Sequence, residues 1–430
     1  MSNNISLVIF IYGAMNVGGI ETYMFSQMRE LLANDVKIVW VMSKAGTVDP
    51  VYSEVVYSKG ITIFEEKINY KQLNEIIIEN NIEDIKIISF SPFKFIIGEQ
   101  IKNKLKGVNV DNFYFVPHFE GEDYYIEDRF KGRKAQNIRA RMKKIFEKMN
   151  SNGNIRYFAR KHIERMSETY DLDIDDYDIT RVPQVKSEQI EFDAERIRKI
   201  YQRDRFNILT VSRLEFPHKG FMLGLTREFF KLKKKYPQLE LTIVGDGPGR
   251  CELENEIAKN GELAESVKLI GTVSPDKLGD FYDDANINIS VAGCFLKGVD
   301  RGVLSCPARH YTYECEVYGF SSEDKQYGVD DAPGQPVVDY IEKTIAMTEE
   351  EYIEHCYNTF KIYQRINKER EKTNGILDIV NKESTTISKS DIRFIYRHRI
   401  TIFEVYKNII KKEGFFRPAI RKIKKAFHLA

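Results

Sequence analysis

Apolar and polar positions alternate along this chain in a way that changes twice. Over the first 120 residues, short unbroken apolar runs are separated by stretches of helical spacing. Residues 5–12 read as a buried strand and 13–19 as a glycine-bearing loop. Residues 20–33, apolar at 20, 24, 28, 31 and 32, read as an amphipathic helix. Strand 36–42 follows, then strand 61–64, helix 73–78 and strands 85–90 and 113–117. Unbroken apolar strands between helices predict a parallel sheet covered on both faces.

The pattern restarts after a join near 182–186. Strands 206–212, 239–245, 267–271, 287–291 and 304–308 are separated by helical segments, and Ser274 with Pro275 marks one helix start as N-cap and first helical residue. From 334 onward the pattern is mostly helical. There Thr348 and Glu351 predict a capping box for a helix reaching about residue 362. The expected organisation is a Rossmann-like, doubly wound domain over 1–185, a second over 200–345, and a helical extension over 346–430.

Composition narrows the class. The 430 residues are 42% hydrophobic and 12% aromatic, which is ordinary for a globular α/β protein. The formal charge of +1 excludes a chain that is basic or acidic throughout, but it hides strong asymmetry. Residues 129–148 carry nine Lys/Arg against one Glu, and residues 393–425 carry eleven against two. In the tail, Phe416, Ile420, Ile423 and Phe427 fall on one helical face among cations. The five cysteines are odd in number and form no C-x-x-C pair, which points to a reducing compartment and a cytoplasmic setting. The apolar run 5–12 lacks a basic lead and is too short for a signal peptide. No run approaches the roughly 20 apolar residues of a membrane-spanning helix.

The most specific chemistry lies at Ile208-Leu209-Thr210-Val211-Ser212-Arg213-Leu214, followed by Lys219-Gly220 and then by Val244-Gly245-Asp246-Gly247-Pro248. Arg213 stands at the end of a parallel strand, the edge where open α/β sheets bind ligands. Lys219 stands at a helix start, where a cation opposes the helix dipole unless an anion is bound between them. Together the two cations can neutralise a diphosphate. The turn Gly245-Asp246-Gly247 would let backbone approach a ligand closely.

On these residues the sequence resembles glycosyltransferase family 4 of the GT-B fold, in the manner of bacterial polysaccharide (capsule or exopolysaccharide) enzymes. The resemblance covers about residues 5–345 and is strongest over 206–292. It implies two Rossmann-like domains facing a cleft. It implies that Arg213 and Lys219 hold the diphosphate of a nucleotide sugar, with Gly245, Asp246, Gly247, Val273 and Gly293 also on the donor side. Gly18, Gly19 and Glu21 resemble the family's glycine loop at the first helix, facing the acceptor and the donor phosphates. His118 follows a strand where the family often places a histidine beside the donor sugar; a histidine serving only structure fits the same position. Val182-Pro183 resembles the interdomain linker.

The sequence departs from the family at its pair of glutamates. Alignment puts the second at Lys297 and the first at Ile289, so neither is acidic. Lys297 would then add charge toward the phosphates in place of a carboxylate on the donor ribose. Arg309 and Glu316, beyond the next strand end, could supply replacement contacts or form an ordinary polar loop. No metal site is expected: the acidic run 171–176 reads as a solvated stretch, and cations take the metal's place on the diphosphate. No cofactor beyond the nucleotide-sugar substrate is implied.

The basic stretches fit a solvated face or, for the amphipathic tail, an anionic membrane surface; nucleic-acid binding lacks its aromatic and groove-reading context. The expected function is transfer of a sugar, with retention and without metal, to a lipid-linked or polysaccharide acceptor at the inner face of the cell membrane. The alternatives are a catalytically silent GT-B subunit that positions another transferase, and a GT-B epimerase or phosphorylase.

Overall fold

The computed structural model describes residues 5–44, 46–117, 130–174, 181–185, 190–323, 333–371, 375–382 and 387–398. They fall into two compact units: the first takes residues up to 16, 23–185 and those from 370, and the second takes 17–22 and 186–369.

The first unit holds β1 (Ile5–Ile11), β2 (Lys37–Met42), β3 (Ile61–Glu65), β4 (Ile82–Ser89), β5 (Asn109–Val116) and β6 (Ile155–Tyr157). All pair in parallel, in the order β3-β2-β1-β4-β5-β6. Its helices are α1 (Gly19–Ala33), the single turn α2 (Ser53–Val56), α3 (Tyr70–Glu79), α4 (Pro92–Lys104), α5 (Gly132–Ser151) and α6 (Arg160–Tyr170). The central strands read as apolar because both faces are covered: Leu7 through Phe10 are fully buried. Helix α4 opens on a Ser91 cap that accepts the Lys94 N–H, with Pro92 at the first position. Helix α5 buries Ala135, Ile138, Met142, Ile145, Phe146 and Met149, a three-and-four spacing that seats one face of a strongly cationic helix in the core.

The second unit repeats the plan with β7 (Phe206–Val211), β8 (Leu239–Val244), β9 (Val267–Gly271), β10 (Ile287–Ser290) and β11 (Ser305–Pro307). They form a parallel sheet in the order β11-β10-β7-β8-β9. The helices are α7 (Ala194–Tyr201), α8 (Phe221–Lys235), α9 (Arg250–Ala258), α10 (Leu278–Asp283), α11 (Ala292–Asp300), α12 (Val337–Ala346) and α13 (Glu349–Glu371), with the two-residue strands β12 (Glu316–Val317) and β13 (Gln335–Pro336) pairing antiparallel. Strand order reverses between β7 and β10, the switch point where such sheets open a ligand crevice.

Two local expectations come out differently. Ser274 makes no side-chain cap, and Pro275 begins a 3-10 turn that leads into α10. The helix capped by Thr348 and Glu351 has both reciprocal bonds, at 3.3 and 2.8 Å, but continues through Glu371. The stretch after 346 is shared between the units. Tyr352 and Cys356 on α13 enter the second unit's core, where the Tyr352 hydroxyl donates to the Asn286 carbonyl at 2.7 Å. Residues 375–382 and α14 (Lys389–Arg397) pack with the first unit. There the Asn112 N–H donates to Asn381 Oδ1 at 2.9 Å, the Asn381 N–H donates to Asp111 at 3.1 Å, and Ile395 joins the α5 core.

Candidate functional site in the second unit

Two loops, after β7 and β8, leave the C-terminal edge of this sheet beside the switch point and are bound to each other. The Leu214 N–H donates to the Asp246 carbonyl at 2.9 Å, and the Gly249 N–H donates to the Leu214 carbonyl at 2.8 Å. Gly245 and Gly247 have φ of +136° and +156°. A Cβ on Gly245 would lie 1.9 Å from the Ser212 carbonyl oxygen, and one on Gly247 would lie 2.5 Å from that of Leu214. Both glycines are required, and the backbone they let in is that of the Arg213 loop. Asp246 accepts the Gly247 N–H at 2.7 Å and pairs with Arg250 at 3.1 Å, so its carboxylate closes the turn.

Arg213, on the first of these loops, is ion-paired with Glu215 two residues on. Lys219 ends the loop, its N–H donating to the Glu215 carbonyl at 2.8 Å, and α8 begins immediately after. The Lys219 ammonium lies 3.2 Å from His310 Nδ1, in the loop after β11. Desolvation pushes the Lys219 pKa down to about 8, with Arg213 adding to the fall and Cys294 and Glu215 opposing it. The His218 ring stacks on Tyr311 at 4.6 Å and on His310 at 5.3 Å, and the Tyr311 N–H donates to the His218 carbonyl at 3.1 Å. The loops after β7 and β11 are thereby joined around the lysine.

The third wall is the start of α11. Val291 is extended, Ala292 takes φ +47°, and Gly293 has no atom within 4 Å of where a Cβ would stand. The Cys294 thiol is raised by burial, against the opposing fields of Lys219 and Lys297. Lys297 itself lies in the second turn of α11 with its side chain 63% exposed, 3.9 Å from Asp300. Ile289 is fully buried in β10, part of the core beneath the site. Val273, just past β9, packs half-buried against the cluster of Tyr282 and Ala285. Arg309 and Glu316 pair with each other at 2.8 Å, and the Arg309 N–H also donates to the Glu316 carbonyl.

In the glycine loop, a Cβ on Gly18 would meet the Glu21 carboxylate at 2.4 Å, so the glycine makes room for a nearly buried acid in the first turn of α1. Gly19 has open space around it. His118 and the tail after residue 398 lie outside the described residues. The structure therefore gathers Arg213, Lys219, Gly245, Asp246, Gly247 and the start of α11 at one sheet edge. It adds Glu215, His218, Cys294, His310 and Tyr311, which sequence patterning missed. The last two fall in a stretch that reads as a plain polar loop, and only the strand end before it hints at a site. Among the described residues no group of three or more His, Cys, Asp or Glu could hold a metal ion.

The model of the family described as Glycosyl transferases group 1 matches residues 205–293, the stretch from β7 to the start of α11. No curated protein matches the chain in sequence. Among solved structures, WaaG, a glycosyltransferase involved in lipopolysaccharide biosynthesis, superposes with a TM-score of 0.52 at 14% identity over 86% of this chain and 99% of that one. S. aureus TarM, crystallised with Fondaparinux, alpha-GlcNAc-glycerol and UDP, superposes with a TM-score of 0.53 at 10% identity over 86% and 100%. The chain thus has the GT-B fold of these glycosyltransferases, and its similarity to the glycosyl transferases group 1 model lies in residues 205–293 of the second unit.

Proposed function

We propose that the chain transfers a sugar from a nucleotide-diphosphate donor held on the second unit. The observation that carries this reading is the Lys219 ammonium, desolvated beside Arg213 at the switch point of the sheet and 3.2 Å from His310 Nδ1. A bound diphosphate would give the ammonium a charge partner in place of the water that burial removes. As the glycosidic bond breaks, negative charge grows on the diphosphate, and two fixed cations with the α11 N-terminus stabilise it. This electrostatic role is what transfer with retention and without metal asks of the site. UDP in the TarM complex supports a nucleoside diphosphate as the ligand class.

The acceptor in this reading is a glycan or lipid-linked saccharide, as in capsule-type polysaccharide synthesis, reached at the cytoplasmic face of an anionic membrane. Supporting it, Lys131, Arg133, Lys134, Lys144 and Lys148 on and before α5 are exposed and have no carboxylate partner among the described residues. Among those residues no helix is long and apolar enough to cross a membrane, so attachment would be peripheral.

Calorimetric titration with a panel of nucleotide sugars and nucleoside diphosphates tests the donor site, and turnover with a membrane extract as acceptor tests the reaction. Absence of binding by every common nucleotide overturns the reading. One observation favours a second reading. Lys297 and the buried Ile289 stand where the family resemblance expects carboxylates, which suits a silent GT-B subunit that positions another transferase. Binding without turnover would select it.

A further inference from the structure

We propose that His310 is the positioning residue for Lys219: its Nδ1 accepts a hydrogen bond from the ammonium, holding that cation charged and aimed at the place a donor diphosphate occupies. The inference deepens the donor-site reading and rests on it for the identity of the ligand, but not for the contact itself. Lys219 Nζ lies 3.2 Å from His310 Nδ1, within the range of a charged hydrogen bond. An ammonium can only donate, so the ring nitrogen facing it must be the acceptor, and the His310 proton sits on Nε2. The ring is fixed for this task. It stacks on His218 with planes 22° apart, His218 stacks on Tyr311, and the Tyr311 N–H is tied to the His218 carbonyl.

The other groups acting on Lys219 come from each element packed around it. They are Arg213 and Glu215 from the loop after β7 and Cys294 from the first turn of α11. The nearby carboxylate, Glu215, is already engaged by Arg213, and the thiol is kept protonated by burial. Past β11, Arg309 pairs with Glu316. His310 supplies an acceptor that keeps a desolvated lysine protonated. A neutral acceptor does this without cancelling the positive charge offered to a phosphate, as a carboxylate would.

The test uses the full chain and three proteins: the parent, His310→Leu, which removes the acceptor, and His310→Asn, whose Oδ1 can stand in for Nδ1. In the ligand-free protein, NMR of labelled lysine reads the Lys219 titration. It should fall below the parent value in His310→Leu and return toward it in His310→Asn. Affinity for uridine, guanosine or adenosine diphosphate, whichever binds the parent most tightly, is then measured from pH 6 to 9. His310→Leu should bind about tenfold more weakly at pH 7.5 and lose affinity at lower pH than the parent; His310→Asn should recover both. A Lys219 titration that is the same in all three proteins overturns the proposal. So does an equal loss of affinity in both variants with an unchanged pH profile, which marks a packing role only. If no diphosphate binds the parent, the donor-site reading falls, and the ligand-free titration still decides the role of His310.

Discussion

At the scale of single residues, the site is a balance between burial and charge. Lys219 in the folded chain titrates near 8, below the ordinary lysine value of 10.5. Between those limits the unfolded chain binds more protons than the folded one, so the lysine's burden on stability is full below about pH 8. It is relieved as pH rises toward 10.5. Lys219→Met should therefore stabilise the ligand-free protein at pH 7 by about 1–3 kcal/mol, with the gain shrinking as pH rises. The same change should abolish diphosphate binding. Thermal melts across pH check the first effect and titration the second; a destabilised variant at pH 7 would count against a desolvated ammonium.

Arg213→Ala should weaken nucleoside diphosphate binding by about 1.5–3 kcal/mol, the worth of a charge-assisted contact, while the protein stays folded. Unchanged affinity would remove Arg213 from the site. Lys297 separates the two functional readings. With a mostly exposed side chain in the second turn of α11, it acts on the site through its field rather than by contact. In an active donor site, Lys297→Glu should reduce turnover, because it places negative charge toward the phosphates. In a silent subunit the change should leave nucleotide binding equal or improved.

At the scale of elements, the strands were legible because a parallel strand covered on both faces must be a continuous apolar run. All ten strands read from the sequence form within a few residues of their expected limits, and the strand-end placement of Arg213 follows from one of them. Helix α5 was hidden by its own charge. Its buried positions keep perfect helical spacing, but nine cations in and around them dominate the composition. Strand β6 is three residues long, too short for any period to show.

What patterning cannot give is proximity between loops. His310 is 91 residues from Lys219 in sequence, and nothing local marks it as a partner. The Gly245 turn shows the same limit: its glycines were legible as a close approach, but the backbone that approaches is the chain's own. Gly245→Ala should consequently cost about 2–3 kcal/mol of stability, since the new methyl group meets the Ser212 carbonyl. A denaturant midpoint equal to that of the parent would show that the two loops are not locked together. A loss of diphosphate binding with full stability would instead return the turn to direct ligand contact.

At the scale of the whole molecule, the charge of +1 is a sum of unlike regions. The stretches 129–148 and 393–425 contribute +8 and +9, which leaves the rest of the chain at −16. Such a distribution hardly matters in bulk solution at physiological salt, where fields fade within about 8 Å. Against an anionic bilayer it matters, because only the cationic regions can lie close to the surface without repulsion, and each nearby cation contributes about 1 kcal/mol. Two sources of attraction are therefore separable. Deleting residues 399–430 removes nine Lys/Arg and the apolar positions 416, 420, 423 and 427. Exchanging Lys144 and Lys148 for Glu reverses two exposed charges on α5 without touching its buried face. Vesicles containing anionic lipid should bind the parent most tightly, and each change should weaken binding. The helix variant should lose about 1–2 kcal/mol or more, and the deletion should lose both an electrostatic and a salt-insensitive apolar part. Raising salt should accordingly erase the difference between parent and helix variant while leaving part of the difference between parent and deletion. Nucleoside diphosphate affinity should stay constant across the series, because Arg213 and Lys219 belong to the other unit. Equal vesicle binding by all three proteins would leave both cationic stretches as solvated faces and take the membrane out of the proposed reaction.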